Sequence, residues 1–532
     1  MSGTDRTPSE RADVCVVGSG PAGALVAHSL AGRGHEVVVL EAGPRFDRER
    51  RQHQMAQFLR PAHDELEVWD MGGERDAYSS SGPLDYPLNE TRVKGVGGTT
   101  LHWIGLVPRY HEKDFEMGSR YGLASDWPIG YADLGPYYAA AERELGVAGA
   151  TDNPFEPPRE EPFPMDAFPP SYADSLYGEA CEELGIETHS VPHARNSEPY
   201  DDRAACQAYG TCDPVCPSGA KYDASVHVAK AEREGARVID CAPVQRLVHG
   251  SDGEQVEAAV YATPDGETHR QTARQFVLAA GAVETPRLLF LSRSEQHPDG
   301  LANGSGAVGR YLMEHPFAGT EAVVPTDTRQ HQVGFMTSES HQFYDHENDT
   351  PGSIKLEFMN SAGPSPVEVA LGDGSWGDDL LTGVQLEFGN RAMVGALVEQ
   401  LPDPTNRVTL DTSRTDDHGN PVPDIAWDVG DHAVATLRRA QAIQEEVIDE
   451  MEGRVTWSSN PRDPPPANHP MGTTRMGTDP AESVVDERLR THDVANLTIA
   501  SSSVFRTGGA MNPTLTIAAL SLKAADHVHA DL

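Results

Sequence analysis

The chain has no run of about 18 apolar residues, and its N-terminus lacks the apolar segment of a secretory signal. These absences predict no membrane span and a cytoplasmic location by the chain's own sequence, with export alongside a signal-bearing partner left open. Basic residues are also scarce, since 42 Lys and Arg stand against 82 Asp and Glu in 532 residues, a formal net charge of −40. Such a surface repels nucleic acid and suits a halophilic protein, because salt screens its self-repulsion.

Cysteine is rare too, with six in the chain, and three of them crowd into one short loop. Cys206, Cys212 and Cys216 have the spacing C-x5-C-x3-C-P, which is not the spread of a disulfide framework. Closely spaced cysteines followed by proline are typical of iron–sulfur ligation, and three thiolates suit a [3Fe–4S] cluster. Two alternatives stay open: a zinc site with the distant His227 as fourth ligand, and plain thiols or a disulfide.

A glycine-rich turn near the N-terminus predicts a dinucleotide site. Gly18, Gly20 and Gly23 follow an apolar strand and open a helix, and a second apolar strand ends at Glu41. In such a βαβ unit the glycines permit a tight turn, a close approach of backbone to pyrophosphate and close helix packing. The helix N-terminus faces the phosphates, and the terminal acid accepts ribose hydroxyls. An acid there favours FAD or NAD over NADP.

The remaining pattern predicts a second, sheet-rich unit inserted into the first. Up to about residue 310 the elements resemble a nucleotide-binding domain, including a second glycine-rich loop at 94–103 with Gly97, Gly98 and His102. Short alternating strands follow, such as 383–388 and 407–411, around one amphipathic helix at 431–451. We therefore expect an α/β fold: a Rossmann-like FAD domain (1–310), an antiparallel-sheet substrate domain (311–465) and a C-terminal return (466–532).

Two C-terminal residues are candidates for the chemistry. His469 lies in a loop bounded by proline and glycine, where an ordinary exposed histidine is the alternative. Asn512 precedes Pro513 and an apolar helix, so helix capping explains it as well as catalysis does. An imidazole accepts a proton near neutral pH, and an amide donates a hydrogen bond that holds a substrate oxygen in line.

These segments resemble the glucose–methanol–choline (GMC) family of FAD oxidoreductases in sequence, order and spacing. The resemblance covers the N-terminal turn, the second loop, residues 276–281 and both C-terminal segments. It implies FAD, with His469 as catalytic base, Asn512 as its partner and Gly97 and Gly98 against the flavin ring. His102 stands where some relatives carry a covalent flavin bond and others do not, so covalency stays open. Ala500–Ser503 lacks the acid that many relatives have, which puts one flavin contact in doubt.

The cysteine loop resembles the cluster loop of bacterial FAD-dependent glucose, fructose and gluconate dehydrogenase catalytic subunits, with Gln207 in place of a second cysteine. This resemblance implies a dehydrogenase that oxidises a hydroxyl of a sugar or sugar acid. Electrons would leave FAD through the cluster to an external carrier, with a small partner subunit and an electron-acceptor protein. The alternatives are an alcohol or sterol oxidase without a working cluster and a non-catalytic flavoprotein. The pairing of His469 with Asn512 argues against the latter, because an adaptor needs no base.

Overall fold

The structure is a computed structural model that describes residues 5–46, 48–58, 68–329, 335–346, 351–360, 367, 370–371 and 374–532. Its strands, in chain order from β1 to β18, are Ala12–Val17, Val37–Leu40, Ser79–Ser80, Ala148–Gly149, Met165–Asp166, His189–Ser190, Arg237–Ile239, Val244–His249, Val256–Ala262, Thr268–Leu278, Phe317–Val323, Ser338–Ser340, Ile354–Met359, Arg391–Val398, Arg407–Thr415, Pro421–Ala426, Arg454–Ser458 and Leu497–Ile499. Its α-helices, from α1 to α10, are Pro21–Ala31, Arg48–Phe58, Met117–Tyr121, Tyr131–Leu145, Tyr172–Glu183, Ser225–Arg233, Gly281–Leu291, Asp378–Glu387, Gly430–Glu450 and Thr514–Asp531.

One sheet is built on five parallel strands in the order β7-β2-β1-β10-β18. Apart from Asp13, the residues of β1 and β2 are apolar, as is typical of buried parallel strands, and every residue of Val37–Leu40 is buried. The N-terminal half of β10 pairs antiparallel with β9, which pairs with β8. Helices α1, α4, α6 and α10 pack together around this sheet. This arrangement brings the first and last parts of the chain into one core.

A second, antiparallel sheet has the order β17-β11-β14-β13-β12-β6. Helix α9 covers one face of it, and its apolar side chains, such as Leu437 and Ile443, pack on Ile354, Leu356 and Phe358 of β13. Because side chains alternate along a strand, the intervening residues of β13 point to the opposite face. That face borders the large cavity described below.

The expected α/β class with a sheet-rich second unit is confirmed, whereas two local predictions are wrong. Residues 383–388 are not a strand, because α8 spans Asp378–Glu387. Its two N-terminal acids stabilise the positive end of a helix, and the apolar spacing also satisfies helical periodicity. Asn512 does not cap α10, since the cap residue is Pro513. The boundaries at 310 and 465 stay a prediction; β6 from the first range joins the antiparallel sheet.

None of the helices in the described part of the chain has the length and apolar character needed to cross a membrane.

Candidate active site

A cavity of about 790 Å³ lies between the carboxyl ends of the parallel strands and the open face of the antiparallel sheet. Ligands of open α/β sheets bind at such carboxyl ends, because the adjacent loops and helix N-termini converge there. The candidate residues that line this cavity come from distant parts of the chain: Gly18, Gly20, Glu41, Gly98, His102, His469 and Asn512. The fold therefore gathers the predicted dinucleotide and catalytic residues at one site.

The three glycines of the first turn are required for different structural reasons. Gly18 has φ of +98°, and a Cβ there would lie 2.6 Å from the Ala279 carbonyl oxygen. A Cβ on Gly23 would lie 2.0 Å from the Gly18 carbonyl oxygen. A Cβ on Gly20 would meet only the Gly98 Cα, at 3.9 Å. The protein's own packing thus requires glycine at positions 18 and 23. At Gly20 the space beside the Cα is open to the cavity, where a bound group can approach the backbone.

Helix α1 starts directly at this turn and has no side-chain cap, because Gly20 is its N-cap residue. Its first amide groups are therefore free to bind an anion at the cavity wall. Glu41 directly follows β2 and is buried, and burial raises the pKa of its carboxyl. The carboxylate accepts from the Ser19 amide (2.9 Å), the Ser19 hydroxyl (2.7 Å) and the Gly43 amide (2.9 Å), which leaves one acceptor position for a ribose hydroxyl. These features fit FAD.

The second glycine-rich loop closes over the first. The Gly97 amide donates to the Ser19 hydroxyl at 3.3 Å, and Gly98 packs against Gly20. His102 lines the cavity, and its Nδ1 lies 3.6 Å from a carboxylate oxygen of Asp213 in the cysteine loop. The glycine-rich loop therefore forms one wall of the FAD cavity and contacts the cysteine loop behind it.

His469 and Asn512 face each other in the cavity wall. His469 Nε2 lies 3.5 Å from Asn512 Nδ2, and Asn512 Oδ1 accepts from the Lys355 ammonium at 2.6 Å. Because the amide oxygen is engaged by Lys355, the amide nitrogen is the group presented toward His469 and the cavity. This placement brings the two predicted residues together and explains why Asn512 does not cap the helix.

The buried His315 determines which nitrogen of His469 carries the proton. His315 Nε2 lies 3.0 Å from the Gly508 carbonyl oxygen, which only accepts, so this nitrogen is protonated. Burial lowers the pKa of His315 to about 4, so the neutral ring has an unprotonated Nδ1. That Nδ1 lies 3.0 Å from His469 Nδ1, which must therefore donate. His469 Nε2 consequently presents a lone pair to the cavity, as a base requires.

The environment of His469 also keeps its ring neutral. Burial, and then the nearby His315 and Lys355, hold the pKa of His469 well below its usual range. Its backbone amide donates to Glu314 Oε1 at 2.5 Å, and the His315 amide donates to the same oxygen at 2.9 Å. Burial raises the pKa of Glu314 to about 7, and its other oxygen accepts from Tyr86. Glu314 thus holds the two histidine backbones in a fixed relation.

Sequence reasoning missed His315, Glu314, Lys355 and Glu357. The alternating Ile-Lys-Leu-Glu-Phe-Met of β13 would be interpreted as an amphipathic strand with a solvent face. In the structure both faces are buried, and the polar one borders the cavity. Two consecutive charged positions on the same face of one strand were the signal available in the sequence.

The cysteine loop forms a small cavity of its own. Cys206, Cys212 and Cys216 line it together with the buried Arg195. Arg195 Nη2 donates to the Ile104 carbonyl at 3.2 Å and the guanidinium lies over an aromatic ring, but Nε and Nη1 have no hydrogen-bond partner among the described residues. A buried cation with two open donors beside three thiols fits an anionic occupant such as a thiolate-bound cluster.

The thiols differ in how readily they ionise. Burial raises the pKa of the Cys212 thiol. Burial acts in the same direction on Cys216, but the Lys221 amide, the Ser218 hydroxyl and the Lys221 charge outweigh it, so the pKa of Cys216 lies below its usual range. The Lys221 amide donates to Cys216 Sγ at 3.4 Å. This microenvironment stabilises the thiolate, the form that binds metals.

The geometry does not support the zinc alternative. Zinc–sulfur bonds of about 2.3 Å keep two thiolates within about 4.6 Å of each other. The three sulfur atoms, all in the described part of the chain, are not all within 4.8 Å of one another. His227, the suggested fourth ligand, is engaged elsewhere, since its Nε2 lies 2.8 Å from Glu144 and its Nδ1 lies 2.9 Å from Tyr222. A multi-iron cluster tolerates wider sulfur spacing because each thiolate binds a different iron.

Comparison with known proteins agrees with this geometry. The family model for GMC oxidoreductase matches in two parts, residues 90–317 and 402–521, and the model for FAD dependent oxidoreductase matches residues 13–75. The fructose dehydrogenase large subunit of Gluconobacter japonicus is 34% identical over 98% of both chains. The 2-methyl-1,2-propanediol dehydrogenase of Mycolicibacterium austroafricanum is 32% identical, over 98% of this chain and 96% of that one.

Solved structures share the fold at lower identity. A formate oxidase variant of Aspergillus oryzae has a TM-score of 0.69 at 16% identity, over 99% of both chains. Pyridoxine 4-oxidase of Mesorbium loti has a TM-score of 0.67 at 18% identity, over 98% of this chain and 99% of that one.

Proposed function

The chain belongs to the GMC oxidoreductase family and is an FAD-dependent oxidoreductase, and we propose that it is a dehydrogenase that oxidises a hydroxyl group of a sugar or sugar acid. The observation that carries this proposal is the pair formed by His469 and Asn512 at the cavity wall, with Nε2 of His469 unprotonated. Relatives named for a sugar, for a diol and for gluconate support the substrate class.

Each group at the site has a separate role in the oxidation of an alcohol. Bound FAD would supply the acceptor for the hydride that leaves the substrate carbon. His469 Nε2 accepts the hydroxyl proton, and Asn512 Nδ2 donates a hydrogen bond to the substrate oxygen, so loss of H⁺ and hydride leaves a carbonyl. Thr514, in the first turn of α10, lines the same cavity, so the positive end of that helix favours negative charge there.

Substitution of His469 by alanine tests this role. We expect the variant to bind FAD and to reduce it with substrate about 10²- to 10⁴-fold more slowly, the usual contribution of a positioned base. The measurement is anaerobic single-turnover reduction of the flavin, with a panel of aldoses, ketoses, aldonates and simple alcohols. Reduction of the variant at the wild-type rate would remove His469 from the mechanism.

We also propose that Cys206, Cys212 and Cys216 hold a [3Fe–4S] cluster that carries electrons from FAD to an external carrier. The main support is the buried Arg195 beside the thiols, whose Nε and Nη1 have no hydrogen-bond partner in the described part of the chain. The loop also lies close to the FAD cavity, because the Lys221 ammonium donates to the Cys212 carbonyl at 2.6 Å and to the Leu101 carbonyl at 3.4 Å. A small partner subunit and an acceptor protein belong to the same proposal, as a relative named as a large subunit suggests.

Iron content and the variant Cys212→Ser test the cluster. Anaerobically purified protein should contain about three irons per chain and show broad visible absorbance beneath the flavin bands. The variant should lose the iron and the reduction of a protein carrier, while substrate still reduces FAD because His469 and Asn512 are unchanged. A wild type without iron that rapidly forms peroxide would instead support an alcohol or sterol oxidase.

A further inference from the structure

The polar face of β13 contributes a carboxylate to the substrate side of the cavity. Lys355, Glu357 and Met359 alternate along this face, and Glu357 and Met359 line the cavity wall. The other cavity-lining residues of the antiparallel sheet are Phe317 and Leu397, which are opposite each other on β11 and β14. Among the residues of this sheet that the structure describes, Glu357 is therefore the one ionisable group in the cavity wall.

The neighbouring Lys355 is buried, and three oxygen atoms surround its ammonium group. The ammonium donates to Asn512 Oδ1 at 2.6 Å and to Glu339 Oε2 at 3.2 Å, and it lies 2.7 Å from Glu357 Oε1 in an ion pair without hydrogen-bond geometry. The positive charge of Lys355 is therefore already paired with protein carboxylates. Two carboxyl groups face one ammonium, so this cluster has no surplus positive charge, and the neutral His469 adds none.

Glu357 keeps unused acceptor capacity. Its contact with Lys355 is an ion pair without hydrogen-bond geometry, so Glu357 Oε1 has no hydrogen-bond donor in the described part of the chain. A buried acceptor without a donor costs free energy, which a hydroxyl group of a bound ligand recovers. A ligand carboxylate finds no free cation at this wall, and its own charge would be buried unpaired.

We propose that Glu357 selects the substrate: it accepts a second hydroxyl group of an uncharged polyol while His469 acts on the first, and it excludes substrates that carry a carboxylate. This inference rests on the proposed function and narrows its substrate from sugars and sugar acids to neutral polyhydroxy compounds. Lys355 links the two sites, because it contacts both Glu357 and Asn512, so binding at Glu357 occurs next to the residue that orients the reacting oxygen.

The test compares matched substrates in the FAD-loaded enzyme. The pairs are glucitol with gluconate and 1,2-propanediol with lactate, and 1-propanol serves as the monohydroxy control. We expect kcat/KM of the wild type to favour the neutral member of each pair by at least about 100-fold, with the acids also weak as competitive inhibitors. In Glu357→Gln, kcat/KM for the polyols should fall about 10- to 100-fold, mostly through KM, while 1-propanol changes little.

Glu339→Gln is the matched control, because Glu339 contacts the same Lys355 but does not line the cavity. This variant should change kcat/KM by the same factor for all substrates and preserve the ratio of kcat/KM between the neutral and acidic member of each pair. A wild type that oxidises the acids as well as the polyols would overturn the inference, as would a Glu357→Gln variant with unchanged ratios. If no hydroxyl compound reduces the flavin, the proposed function itself fails. If Glu357→Gln does not bind FAD, the inference is still tested by the wild-type enzyme, through the ratio of kcat/KM between the neutral and acidic member of each pair and the inhibition constants of the acids.

Discussion

Replacing His315 by leucine tests how the reactive form of His469 is maintained. Leucine offers no acceptor to His469 Nδ1–H, a bond that measures 3.0 Å between the two ring nitrogens. A buried N–H without a partner costs about 1–3 kcal/mol, which the imidazole avoids by moving its proton to Nε2. That tautomer presents a donor to the substrate instead of a base. We therefore expect flavin reduction to slow by about 5- to 150-fold.

The assay is anaerobic stopped-flow reduction of the flavin, because a single turnover isolates the chemical step. His315→Gln is the control, since its amide offers one acceptor and one donor in place of the two ring nitrogens, and it should retain more of the rate. The pH dependence gives a second readout. Burial lowers the pKa of His315 to about 4, and the pKa of His469 also lies well below 6.5. Both rings are therefore neutral at pH 6–8, and the loss of rate that comes from ring protonation should lie well below pH 6.5.

Two results would refute this reasoning. The first is a leucine variant that binds FAD fully, melts at the wild-type temperature and reduces the flavin at the wild-type rate. The second is an equal loss of rate in the leucine and glutamine variants, because then the volume of His315 matters and its hydrogen-bond polarity does not. In the His469→Ala background the leucine substitution should have no further effect on the rate, since the proton acceptor is already absent.

Two further predictions concern the cofactor and the surface. Gly20→Val should abolish FAD binding, because its side chain would occupy space on the cavity wall, yet the apoprotein should fold, because the added Cβ meets only Gly98 Cα, at 3.9 Å. The control Gly135→Val, with nothing within 4 Å of its Cβ, should bind FAD and remain yellow. A fully flavinated Gly20→Val protein would contradict the assignment of this turn. Enzyme prepared without salt should be partly unfolded and should regain activity in molar KCl, because of the net charge of −40, and a melting temperature independent of KCl concentration would reject the halophilic interpretation.

The sequence predicts those parts of the site that depend on local geometry. The spacing of Gly18, Gly20 and Gly23 specifies a strand, a turn and a helix within about 30 residues, and the structure has this unit, with the second strand ending at Leu40, one residue before Glu41. The proximity of Cys206, Cys212 and Cys216 also follows from their short separation along the chain. These inferences hold because short-range backbone constraints leave few alternatives.

Local sequence patterns give wrong predictions where tertiary contacts determine the structure. The alternation of Val384, Leu386 and Phe388 predicts a strand, but helix α8 includes the first two of them. Asn512 and Pro513 form a good local capping sequence, yet the Asn512 amide is taken by Lys355, a residue 157 positions away in the chain. A capping pattern describes what a side chain is able to do nearby, and it contains no information about a competing buried cation.

Buried lysines explain why the contacts that hold the site residues in place could not be predicted from the sequence. Lysine is almost never fully buried unless paired, so a sequence pattern assigns it to the surface by default. Here Lys355 joins the antiparallel sheet to Asn512 near the C-terminus, and Lys221 joins the loop after Gly98 to the cysteine loop through the Leu101 and Cys212 carbonyls. Each ammonium has three oxygen atoms around it, as hydrogen-bond acceptors or as an ion-pair partner, and they offset its loss of water. Such a cation fixes several segments at once because its donors point in three directions, and its partners become identifiable only after the chain has folded.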